Sequence, residues 1–263
     1  MMGDDKKLNE YVWKYAEQYT IKPWLKGYGN CIQDNPEYWN QPDVLLTDTT
    51  KATVEQAKQD PMAGWMGWEP SGMVDRIENL CRKYRVPSDA RVLELGCGGG
   101  RQVFAWRAFS ISRGLRLKLY GIDHAEGAIK VAQTRMPDVA FFCVGADDAS
   151  RLNQIFTLGD FPVGFDIIYT LTCLQHNSAH KLRQIFQNVN WLLKEGGLFW
   201  LVNELTIDSE DYIGVHHPQV KMAPWVTDER GSHGTAAWWI GFIADNGFEL
   251  LSYEKSSYVF RRI

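Results

Sequence analysis

One ten-residue stretch, Val92-Leu93-Glu94-Leu95-Gly96-Cys97-Gly98-Gly99-Gly100-Arg101, constrains this chain more than any other. An apolar run with one embedded acid, Val92 to Leu95, reads as a short buried parallel strand that stops at glycines. Arg101 to Arg107 can then start a helix. Strand, glycine turn, helix is the arrangement that brings backbone close to a nucleotide-like ligand at the carboxyl edge of a sheet. Glycines are needed there because a Cβ would block both the φ > 0 turn and the ligand. Gly96, Gly98 and Gly100 alternate, and Arg101 stands where a dinucleotide G-x-G-x-x-G fingerprint would place its last glycine. A pyrophosphate binder is therefore disfavoured. Glu94 would repel phosphates, but it can accept hydrogen bonds near the loop, directly or through water, and suits a ligand carrying an amino group. The alternative is a glycine-rich turn of structural use only.

The rest of the chain says what surrounds this turn. From Ala90 onward strands and helices alternate: strands are expected at 91–95, 117–122, 139–144, 165–169 and 198–203, with helices at 101–112, 125–135, 149–156 and 179–193. Such alternation implies a mostly parallel sheet covered on both faces. A helix over 236–246 and two strands, 248–255 and 258–263, follow. The two-residue connection between those strands allows only an antiparallel pair. Upstream, residues 5–19 repeat aromatics at helical spacing, and Trp24, Tyr28, Tyr38 and Trp39 punctuate an irregular stretch. Ser71 is placed to cap a helix whose apolar face is Met73, Val74, Ile77, Leu80, Cys81 and Tyr84. Residues 1–86 are thus expected to form a helical, aromatic cap and 87–263 the α/β core. The stretch 206–234, too long for an ordinary connection, is expected to be a lid-like insertion after the fifth strand.

The glycine stretch resembles motif I of the class I S-adenosylmethionine-dependent methyltransferases, in which acid-x-G-x-G-x-G cradles the amino-acid end of the cofactor. The resemblance implies a Rossmann-like seven-stranded sheet with an antiparallel carboxyl-terminal hairpin. It also implies cofactor contacts at Glu94, Gly96, Cys97, Gly98 and Gly100. Asp123 ends the second strand beside the first loop, where a carboxylate can accept both ribose hydroxyls; it matches the family's acid at this point, with His124 next to it. Asp123 can also serve the start of the helix near Ala125, and the two roles can coexist. At the end of strand three, Ala146 and Asp147 correspond to the adenine-reading positions, while Asp148 is placed to cap the next helix. Thr170 and Leu171, ending strand four, would flank the methionine portion. No Asn/Asp-Pro-Pro-Tyr follows them, which lowers the weight of nucleobase or glutamine amide nitrogens as acceptors. Lys194-Glu195-Gly196-Gly197 matches the family's turn before strand five, with Glu195 in place of proline.

Side chains able to reach a transferred methyl leave the ends of strands four and five or the insertion. Those are His176, Glu204, His216 and His217, with Asp208 and His233 behind them. Each has a plainer alternative: His176 fixing its loop, Glu204 binding substrate, the histidines solvated. No metal is expected. The net charge of −4 gives no whole-molecule attraction for nucleic acid, so nucleic acid is not an expected partner. Five cysteines without a C-x-x-C pair indicate neither a disulfide framework nor zinc. With no apolar leader or membrane-length run, the expectation is cytoplasmic and off the membrane. A homodimer is left open. The expected activity is methyl transfer to a small molecule, with a peptide or protein acceptor, or a catalytically silent binding scaffold, as alternatives. A NAD(P)-binding oxidoreductase is disfavoured by Arg101 and Glu94.

Overall fold

The computed structural model describes residues 70–157, 164–171, 173–174, 177, 179–202, 236–254 and 257–263. In chain order these form α1 (Pro70–Tyr84), β1 (Arg91–Leu95), α2 (Arg101–Ser112), β2 (Lys118–Asp123), α3 (Glu126–Arg135), β3 (Ala140–Cys143) and α4 (Ala149–Phe156). Then come β4 (Phe165–Leu171), α5 (Ala179–Leu192), β5 (Leu193–Val202), α6 (Ala236–Ala244), β6 (Phe248–Glu254) and β7 (Ser257–Arg262). The sheet has seven strands in the order β3-β2-β1-β4-β5-β7-β6. β1 to β5 pair in parallel, and β7 runs antiparallel to both β5 and β6. The expected Rossmann-like sheet with an antiparallel terminal pair is what the chain forms.

Strand periodicity sorts the core into two layers. Alternate side chains of a strand point to opposite faces. Val92, Ile167, Tyr169, Leu198 and Trp200 pack with Met73, Ile77 and Trp106 on one side. Their neighbours Leu93, Ile168, Phe199 and Leu201 pack with Leu152, Phe156, Leu182 and Phe186 on the other. The near-continuous apolar runs of β1 and β4 follow from burial on both faces. Helix α1 is a layer of this sandwich: Met73 and Ile77 are buried in the same cluster as Val92. The sandwich therefore starts upstream of the division expected at 86–87, because the apolar face of α1 has the sheet as its partner. The rest of the expected cap, residues 1–69, and the insertion at 206–234 lie outside the described residues.

Two local expectations are corrected. Ser71 is not the residue before the helix, since α1 already includes Pro70; proline suits a first turn, where its missing N–H has no helical acceptor to lose. Strand five starts at Leu193 rather than 198, because Leu193 pairs with Phe165 before an irregularity in the β4–β5 register. The Lys194–Gly197 turn is thereby absorbed into the strand, with Gly196 at φ 72°.

Candidate functional site

The carboxyl ends of β1, β2, β3 and β4 converge on one edge. β1 ends at Leu95, and Gly96, Gly98 and Gly100 all take positive φ (67°, 50° and 83°). A Cβ on Gly96 would stand 2.3 Å from Cys173 Sγ, so here glycine answers both the torsion and the space. At Gly98 a Cβ would meet nothing within 4 Å and would project into open space beside the loop. Only the torsion and access to the backbone require glycine there.

Asp123 ties this loop to the next one. Gly98 N–H donates to Asp123 Oδ2 at 2.9 Å, and Ala125 N–H donates to Oδ1 at 2.8 Å. Cys97 N–H adds a bond to the Ile122 carbonyl. The carboxylate therefore does serve the start of α3. Each of its oxygens still has a lone pair to offer, as a carboxylate accepts about four hydrogen bonds. His124 is exposed beside it, and its carbonyl accepts the Cys143 thiol.

Glu94 occupies a different environment. It is 2% exposed, and Tyr169, its cross-strand neighbour on β4, donates its hydroxyl to Oε2 at 2.9 Å. The carboxyl also accepts the backbone N–H of Val103 in the first turn of α2. The residue at the head of α2, Gly100, has no side chain with which to cap it. A helix start leaves several N–H groups without helical partners, and Glu94 satisfies one from the neighbouring strand. Burial pushes its pKa up to about 8; Tyr169 offsets part of this and the Asp123 charge adds to it. Burial also holds the Cys97 thiol well above its usual value, with Asp123 and Glu94 reinforcing the effect. Cys97 is thus a neutral packing thiol rather than a nucleophile.

The third loop is fixed from below. Asn188 of α5 donates to the Ala146 carbonyl at 2.9 Å. Asp148 accepts Arg151 N–H and caps α4, as expected. Asp147 lies against Gly145, where a Cβ would come within 2.6 Å of its Oδ1. Thr170 is buried and Leu171 half-buried at the end of β4. All the expected cofactor positions therefore share one edge of the sheet. Asn188 and Tyr169 were not singled out from the sequence as site residues. Asn188 could have been noticed as a polar residue flanking Leu182, Ile185, Phe186 and Val189; Tyr169 carried no signal, because the β1–β4 register is not readable in the sequence. His176, Glu204, His216 and His217 lie outside the described residues, as do Asp208 and His233. Among the described residues no group of three His, Cys, Asp or Glu side chains is arranged to hold a metal ion.

Residues 93–199 match the family model described as a methyltransferase domain. This stretch is similar to a methyltransferase domain. Over 108 residues the chain is 28% identical to the tRNA N(3)-methylcytidine methyltransferase of Schizosaccharomyces pombe, covering 41% of this chain and 34% of that protein. Over 184 residues it is 26% identical to a sterol 24-C-methyltransferase of Neurospora crassa, covering 66% and 44%. The chain thus spans between about a third and under half of the length of these curated relatives. In fold it is similar to S-adenosylmethionine-bound CalS10, an amino pentose methyltransferase from Micromonospora echinaspora. That likeness has a TM-score of 0.55 at 15% identity, over 82% of this chain and 99% of the other. The glycine loop, with no side chain over Gly98 and the Asp123 carboxylate beside it, fits a nucleoside without phosphates such as the S-adenosylmethionine that the resemblance implies.

Proposed function

We propose that the chain transfers the methyl group of S-adenosylmethionine to a small-molecule acceptor. The observation that carries this reading is the pairing of a left-handed glycine loop with the Asp123 carboxylate clamped against it. Gly96 to Gly100 would hold the amino-acid end of the donor, Asp123 the ribose, Ala146 and Asp147 the adenine, and Thr170 and Leu171 the methionine portion. The donor supplies a methyl carbon already activated by its sulfonium. What remains for the protein is to hold a nucleophile in line at about 3 Å with water excluded, which is worth roughly 7–11 kcal/mol. Removal of a proton from that nucleophile contributes a further factor of about 10²–10⁴. His176, Glu204, His216 and His217 are the proposed carriers of that step. We place the protein in the cytoplasm; among the described residues no helix is long and apolar enough to cross a membrane.

Small acceptors are favoured by the aromatic residues of 1–69, suited to an apolar pocket, and by the net charge of −4. The relative that acts on tRNA supports a second reading, an RNA acceptor, and removes net charge as a sufficient ground for excluding nucleic acid. Titration calorimetry with S-adenosylhomocysteine and with NADH tests the donor. Binding of the first and not the second is expected, and the reverse would end the proposal. Methyl transfer from labelled donor to total small RNA, against transfer to a metabolite extract, separates the acceptors.

A further inference from the structure

The opposite edge of the sheet carries a second feature. Where β4 and β5 begin there is a cleft of about 270 Å³ lined by Lys83, Arg85, Lys194 and Arg261, with Gly197 among its backbone walls. Asp166 is the one carboxylate lining it, and both its oxygens are engaged, one by Lys194 and the other by Arg91 N–H at 2.8 Å. Arg261 reaches Glu249 at 3.6 Å across an exposed pair, a contact of little strength. Lys83 lies over the Tyr84 ring at 5.2 Å. Among the described residues neither Lys83 nor Arg85 has a carboxylate partner.

Arg85 is held there at a conformational cost. Val86 N–H bonds to the Cys81 carbonyl, the closing bond of a helix end that turns through a left-handed residue. That residue is usually glycine, and here it is Arg85 at φ 52°, the only non-glycine with positive φ among the described residues. A long cationic side chain at a position glycine would fill without strain is explained if its guanidinium is needed. A guanidinium presents a planar fork of donors that matches a phosphate, and a lysine beside it adds point charge.

We propose that this cleft binds a phosphate-bearing ligand, with Arg85 and Lys83 as its principal contacts. It lies at the far end of the strands from the glycine loop, about 17 Å away along a five-residue strand such as β1. The ligand is therefore not the methyl donor, and the phosphate belongs either to a small phosphorylated compound or to an RNA backbone.

The test uses the full chain saturated with S-adenosylhomocysteine, titrated at low salt with inorganic pyrophosphate and, separately, with a fluorescein-labelled short oligouridylate. At least one probe should bind. R85G should weaken that binding roughly tenfold or more while the melting temperature holds or rises, since glycine relieves the torsion. K83S, at an exposed position, should weaken it without unfolding. Retention of the oligouridylate with a steep salt dependence identifies an RNA backbone as the source. Binding of pyrophosphate alone identifies a small phosphorylated ligand. If neither probe binds, or if R85G and K83S bind as the parent does, the proposal is overturned.

Discussion

The two edges of the sheet both use left-handed backbone but differ in what fills it. At the carboxyl edge, three left-handed positions are all glycine; Asp123 from β2 accepts from the loop they form, and Glu94 of β1 accepts from the first turn of α2 that follows it. At the amino edge, the one left-handed position outside glycine is an arginine, and the surroundings are cationic. The first arrangement minimises strain and leaves the space beside Gly98 free of side chains. The second retains strain and displays a guanidinium. Left-handed backbone on its own therefore says little about function; what occupies the position, and the sign of the charge around it, say more.

The comparison breaks most severely at Gly96. In G96A a Cβ at φ 67° would sit 2.3 Å from Cys173 Sγ. Loss of at least ~2–4 kcal/mol of stability is expected, together with loss of S-adenosylhomocysteine binding, read by denaturant melts and calorimetry. Next comes Asp123. D123A removes the acceptor for both Gly98 and Ala125 N–H. A fall in cofactor affinity of about a hundredfold is expected, with the circular dichroism of the sheet retained; unchanged affinity would remove the ribose assignment.

Glu94 sharpens the contrast through pH. Its folded pKa of about 8 lies above the ordinary 4.5, so the folded protein holds this proton more tightly than the unfolded chain. Its contribution to stability is fully present below 4.5 and is lost as pH rises through about 8. E94Q should flatten that part of the pH–stability curve in melts. Y169F removes the hydrogen bond that partly lowers this pKa. It should cost ~1–3 kcal/mol and carry the loss to higher pH. The smallest effect is at the other edge. R85G should stabilise the protein by ~1 kcal/mol, raising the melting temperature by about 2–4 °C; a lower melting temperature would mean that Arg85 is not strained.

Much of the carboxyl edge is local in sequence, which is why it was legible. The glycine spacing, the acid ending β2 and the acids after β3 each sit within a few residues of the turn they serve. The sheet was legible for the same reason, since β1 and β4 show two-sided burial as apolar runs. What escaped depends on register or on distant pairing. Tyr169 lies 75 positions from Glu94 and Asn188 lies 42 from Ala146. The membership of α1 in the sandwich was missed because an apolar helical face does not name its partner. At the amino edge the run Arg82-Lys83-Tyr84-Arg85 was visible, but Lys194 and Arg261 join it only through the β4–β5–β7 pairing.

One consequence concerns how the molecule is made. β7 lies between β5 and β6, with Tyr258 and Phe260 fully buried and Ser257 accepting the Trp200 indole N–H. A ribosome builds from the amino end, so the strands that flank the glycine loop emerge long before the one that seals their neighbour β5. Until residues 257–262 clear the exit tunnel, Phe199 and Leu201 lack their antiparallel covering. The nascent sheet has an open, sticky flank in that interval, which is where aggregation or chaperone capture should concentrate.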